Sequence, residues 1–298
     1  MNDIDIMKQL YTYYKKKTAA VLIHLHKLKK TYDFERVHKL RVDIKTIKNL
    51  FQLFEIVSDE KNKEADIWNI FDSVFKAAGK IRETEINRDF MLQYKSDTFK
   101  INLYKGFSER KEKKSRKAFD DVIHAVHIKK VDAVNSNIKK ICKKANDKKM
   151  MTSAHRLIFD KIEAMKTMSK TLGKEDLHTI RKYLKGINSL SGVLFENNMS
   201  KEFEQAVINF KQTADILGNW HDHMAFEKSL SAFLKKNKNK PYKELITYKK
   251  VFAEIAIQNK KSIKEISKSM QLVIPQLEQV YINEWASLNN CLNSDLLD

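Results

Sequence analysis

Proline and glycine are nearly missing from this chain, with two prolines and six glycines in 298 residues. Average usage would give roughly 15 and 20 in that length. Sheets and tight turns need these residues, whereas helix interiors reject them. The scarcity excludes a β-rich fold and points to helices joined by short polar connections. Cysteine is as scarce. Cys142 and Cys291 stand far apart in sequence, so they form neither a metal knuckle nor a disulfide framework, and a reducing compartment is expected. No apolar run approaches 18 residues, so no membrane span is expected. The start, MNDIDIMKQLYTYYKKK, lacks the basic beginning and apolar centre of a signal peptide, and a cytoplasmic location is expected. Neither a Walker phosphate loop nor a G-x-S-x-G elbow occurs.

What the chain does have is charge and periodic hydrophobicity. Hydrophobic residues make up 42%, enough for a real core. Lys and Arg exceed Asp and Glu by 57 − 38 = 19, a surplus that favours a polyanionic partner. Amphipathic periodicity predicts helices near 3–30, 34–57, 63–81, 83–94, 97–114, 116–145, 149–171, 174–197, 200–218, 220–236, 241–262 and 263–290. Asp33 and Asp59 suit helix starts, Gly173 a C-terminal cap and Pro241 a first turn. Pro275 is expected to kink or split the last helix.

The helices repeat. VHKLRVDIKTIKNLFQLFE (37–55) aligns with LHTIRKYLKGINSLSGVLFE (177–196), which matches His38 with His178, Arg41 with Arg181 and Lys45 with Lys185. AAGKIRETEI (77–86) aligns with ILGNWHDHMAF (216–226), which matches Gly79 with Gly218, Arg82 with His221 and Glu83 with Asp222. Two blocks preserved at offsets of 140 and 139 residues mark a duplicated helical unit, with its seam in the lysine-rich CKKANDKKMMTS (142–153). One bundle is expected in 1–147 and another in 148–298.

At about 100° per residue, Arg41, Lys45 and Lys48 fall about −60°, −20° and −80° from His38. Leu40, Ile44, Ile47, Phe51 and Phe54 fall on the opposite side. The second copy gathers His178, Arg181, Lys182 and Lys185 on one side and Ile180, Leu184, Ile187 and Leu194 on the other. A basic stripe on a single helix is ordinarily a solvated face. Here two stripes recur, and no acid is interleaved at the i,i+4 spacing that would gain a few tenths of a kcal/mol. Asp43 points elsewhere. The mixture suits phosphate: Arg gives a two-pronged grip, Lys a point charge and His a charge set by pH.

The duplicated H-x-x-R-V-x-x-(K/R)-x-x-(K/R) pattern, each copy followed by Gly-x-x-(R/H)-(D/E), resembles the CHAD (conserved histidine α-helical domain) family. The resemblance extends over nearly the whole chain. It implies an all-α fold of two pseudo-symmetric antiparallel four-helix bundles with a basic channel or groove between them. It also implies binding of inorganic polyphosphate without catalysis, and association with polyphosphate granules. The family's basic residues carry over to His38, Arg41, Lys45, Lys48, Arg82, His178, Arg181, Lys185 and His221. Lys45 and Lys48 stand where Arg is common, Asn188 where a second Arg is usual and Glu83 where Asp is usual.

Other functions find less support. Single-strand readers need aromatic platforms, and the basic fronts carry none, so only weak, non-specific contact with nucleic-acid phosphates is expected. Some CHAD domains are fused to a triphosphate-hydrolysing domain marked by E-x-E-x-K, but ETEIN (83–87) has Asn87 in place of the lysine. No catalytic residue, cofactor or metal is expected. His24 and His26, His124 and His127, and His221 and His223 lack a clustered carboxylate or cysteine. The first helix of each half, with Lys15 and Lys16 aligned to His155 and Arg156, is a secondary contributor to consider. Gly79 and Gly218 are expected to break their helices so that Arg82 and His221 turn towards the basic face. Glu83 and Asp222 are then expected to pair with those cations and orient them.

Overall fold

The structure is a computed structural model that describes residues 6–58, 65–94, 98–170, 172–194 and 200–294. Asp59, and the side chains of Leu194 and Cys291, lie outside the described residues. Nine helices run through the described residues: α1 (Ile6–Lys30), α2 (Phe34–Ser58), α3 (Ala65–Gln93), α4 (Thr98–His124), α5 (Ile128–Lys144), α6 (Asp147–Ser169), α7 (Lys174–Leu194), α8 (Lys201–Lys236) and α9 (Tyr242–Ser294).

Local chemistry explains the helix starts. Asp33 accepts from the Glu35 N–H at 3.1 Å ahead of α2, and Asn146 accepts from Lys149 N–H at 2.7 Å ahead of α6. Ser200 accepts from Phe203 N–H at 3.1 Å, and its own hydroxyl donates to Glu284 of α9 at 2.6 Å. Gly173 caps no helix end. Its N–H donates to Asp176 at 2.7 Å, the reciprocal bond of a capping box at the start of α7. The Asp147 carboxylate accepts from the Ile6 and Met7 N–H groups at 3.1 and 3.0 Å, so the start of α6 caps α1.

Several expected breaks are absent. Gly79 lies within a continuous α3 and Gly218 within a continuous α8, while Pro275 lies within α9. A helical Gly costs only about 1 kcal/mol relative to Ala, which packing along a long helix offsets. Conversely, the single helix expected over 116–145 is interrupted at residues 125–127, between α4 and α5.

The described residues form two cores. The principal one takes residues from all nine helices and so draws on both sides of residue 147, for example Val37, Leu40 and Ile44 of α2 with Leu177, Ile180 and Leu184 of α7. The second lies at the far ends of two helical hairpins, with Met91 of α3, Tyr104 and Phe107 of α4, Phe226 and Phe233 of α8, and Tyr248 of α9. Each such side chain contributes about 1.5–3 kcal/mol on full burial. Within this fold α2 packs on α7, and α3 packs on α8. The two helices carrying basic stripes and the two carrying the glycine blocks are therefore neighbours.

Candidate functional site

The apolar backs of α2 and α7 are buried, which turns their basic fronts towards a common region. Arg41 and Lys45 of α2 lie close enough to Arg181 and Lys185 of α7 for the charges to perturb one another. Burial and the Arg181 and Arg82 cations push Arg41 down to about 10. Lys45 is pushed to about 7, first by burial and then by Lys185, Arg181, Arg41 and Lys182. Arg181 and Lys185 are also lowered, burial being the largest cause, but Asp215 and Asp222 of α8 oppose the shift.

The two arginines are held differently. Arg41 donates from Nη1 to the Phe75 carbonyl at 2.6 Å, and its guanidinium lies 4.2 Å from the Phe75 ring centroid. That placement needs Gly79, because a Cβ there would come within 2.5 Å of Nη1. At Gly218 the same added atom would sit 3.7 Å from Arg181, an ordinary contact. Arg181 keeps a buried Nε with no partner. Such an orphaned donor is costly unless something occupies it.

The ends of the stripe differ as well. His38 keeps an exposed surface, and its pKa is lowered by partial desolvation and then by Arg82. Arg82 pairs with Glu85, not with the exposed Glu83, so that expectation is corrected: a partner three residues on is within reach of a helical arginine, and the adjacent one points away. His178 and His221 stack with centroids 5.0 Å apart, and His221 Nδ1 lies 3.4 Å from Asp222. His178 is lowered by burial and by Lys182, His221 and Arg181. Lys182 and Lys48 are exposed.

The first helices supply little to this cluster. His155 stacks on Trp285 at 4.0 Å and on Tyr281 at 5.4 Å, both on α9. Lys15 and Lys16 are exposed, and Asp43 pairs with Lys17 and His24 of α1 at 2.8 and 3.4 Å. Among the described residues, no group of three or more His, Cys, Asp or Glu is placed to hold a metal ion. None of their helices is long and apolar enough to cross a membrane.

Asp215 and Lys161 were not singled out by sequence. Lys161 of α6 is lowered to about 8 by burial, and its Cε would lie 3.6 Å from a Cβ at Gly186. Asp215 had one available signal, its position three residues before Gly218.

The CHAD domain family model matches residues 12–231, nearly three quarters of the chain. The chain belongs to the CHAD domain family. The crystal structure of the CHAD domain from the plant Ricinus communis is similar in fold, with a TM-score of 0.72 and 10% identity, over 90% of this chain and 92% of that one. No curated protein matches the chain. The CHAD family is linked to polyphosphate binding in general, and in this CHAD protein the repeated basic helix fronts meet where α2 packs on α7.

Proposed function

We propose that this protein binds inorganic polyphosphate, without turning it over, across the fronts of α2 and α7. One observation carries the reading: Lys45 faces Lys185, Arg181, Arg41 and Lys182, so cations from both repeats crowd one half-buried place. Two unit charges ~6 Å apart at an effective dielectric of about 20 repel by roughly 3 kcal/mol. A run of phosphates threaded between α2 and α7 relieves that repulsion and occupies the Arg181 Nε. His38 and Arg82 extend the track at one end, and His178 and His221 at the other. Lys48 and Lys182 add charge from the surface. In the cell this activity belongs in the cytoplasm, on free polymer or on granules.

The test compares long-chain polyphosphate, pyrophosphate and single-stranded DNA at one salt concentration. Long polyphosphate should bind far more tightly than pyrophosphate and lose affinity steeply with added salt. It should be recovered intact after incubation with Mg²⁺. DNA binding as tightly would favour nucleic acid as the ligand, and sustained phosphate release lost in Arg41→Ala would mark an enzyme.

A further inference from the structure

The two halves of the track are not equal in charge. Gly218 rests against the heads of both Arg181 and Lys185, a Cβ there being 3.7 Å from Arg181 Nε and 4.0 Å from Lys185 Nζ. Asp215 lies three residues before this glycine and Asp222 four after it, about 60° and 40° around the helix. Both carboxylates therefore flank the glycine on one side of α8. Their charges act on Arg181 and Lys185, and Asp222 acts on Arg41 as well, so Asp215 is the carboxylate that favours one repeat over the other. The corresponding positions around Gly79 hold Lys76 and Glu83. Lys76 is taken up by Asp72 at 2.6 Å, and Glu83 is exposed. Lys45 feels four cations, while its repeat mate Lys185 feels one cation and two carboxylates.

Building on the polyphosphate reading above, we propose that Asp215 is a fixed counter-charge that weakens the second half of the track. Short phosphate chains then seat on Arg41, Lys45 and Arg82 in the first half. Only long chains extend onto Arg181 and Lys185, where the added phosphate contacts outweigh repulsion by Asp215. Asp215 thus sharpens the preference for length that a track built from both repeats already has.

The experiment is calorimetric titration with tripolyphosphate and with long-chain polyphosphate. In the wild type, Arg41→Ala should weaken tripolyphosphate by about tenfold or more, and Arg181→Ala by less than about threefold, a charged hydrogen bond being lost only in the first case. In an Asp215→Asn background, Arg181→Ala should cost nearly as much as Arg41→Ala. Asp215 is exposed, so Asp215→Asn by itself decides the matter even where an arginine variant does not fold. It should raise tripolyphosphate affinity several-fold, and Glu83→Gln, which removes an exposed charge from the other repeat, should raise it less. Equal losses from the two arginines, or equal gains from the two acidic variants, would overturn the proposal while leaving polyphosphate binding intact. No binding of the long polymer by the wild type would overturn both.

Discussion

Gly79 and Gly218 hold the same place in two copies of one unit, yet they do different things. Gly79 admits the Arg41 guanidinium against the backbone of α3, where the Phe75 carbonyl and ring fix it. Gly218 leaves Arg181 in ordinary contact, with a donor unspent and two carboxylates nearby. One arginine is held in place before any ligand arrives, and the other has something to gain from one. The two aligned blocks therefore keep the same spacing of cations in different surroundings.

The largest expected break in that comparison is set by Lys45 and Lys185. Free Lys45 is uncharged above about pH 7. A bound polyanion raises its pKa, so binding takes up a proton. Below pH 7 Lys45 is protonated either way and adds no slope. Above it, affinity should fall by up to about tenfold per pH unit until the bound pKa is reached. Lys45→Met should abolish this slope in a pH series of binding titrations. Lys185→Met should keep a slope but start it at higher pH, because Lys185 is the strongest cationic influence on Lys45. The free protein carries the same signature. An unfolded lysine stays protonated to about pH 10.4, so stability should rise with pH from 7 upwards, and Lys45→Met should flatten the rise.

The glycines come next. Gly79→Ala should force Arg41 off the Phe75 carbonyl, losing a bond worth about 1 kcal/mol net. The gain of up to about 1 kcal/mol from a better helix former offsets this, so melting should barely move while polyphosphate affinity falls several-fold. Gly218→Ala should keep the affinity and raise the melting temperature. Equal effects of the two changes on binding would show that close packing of Arg41 does not matter.

The histidines should give the smallest effect. His38 and His178 are lowered from their usual value by burial and by neighbouring cations. Both are neutral at pH 7, and a polyanion raises both pKa values. Affinity should therefore increase as pH falls below neutrality, by a few-fold at most. The double His38→Gln, His178→Gln variant should lose that acidic limb and keep the slope above pH 7. An unchanged acidic limb would remove the histidines from the track.

The sequence made the helical class and the two basic fronts legible because period and repetition survive in a single chain. Val37, Leu40, Ile44 and Ile47 show the buried side of α2 by spacing alone. Helix continuity was less legible. Gly79 and Gly218 look like punctuation, and nothing local reveals that α3 and α8 run through them. The purpose of Gly79 lies in Arg41, 38 residues earlier in the chain. Glu85 was within local reach of Arg82, three residues on in the same helix, whereas Asp215 as a neighbour of Arg181 depends on which helix packs beside which. Charge types could be read from the sequence, but the depression of Lys45 depends first on its burial and then on Lys185 and Arg181 meeting it across α2 and α7.

Asp147 opens α6, yet its carboxylate closes the first turn of α1. The segment from α1 to α5 standing alone would leave those N–H groups without that acceptor and would expose faces that α6 to α9 now cover. The two segments complete one another as clasped hands do, and joining them in one polypeptide holds each always at hand for the other. Their meeting therefore does not depend on protein concentration.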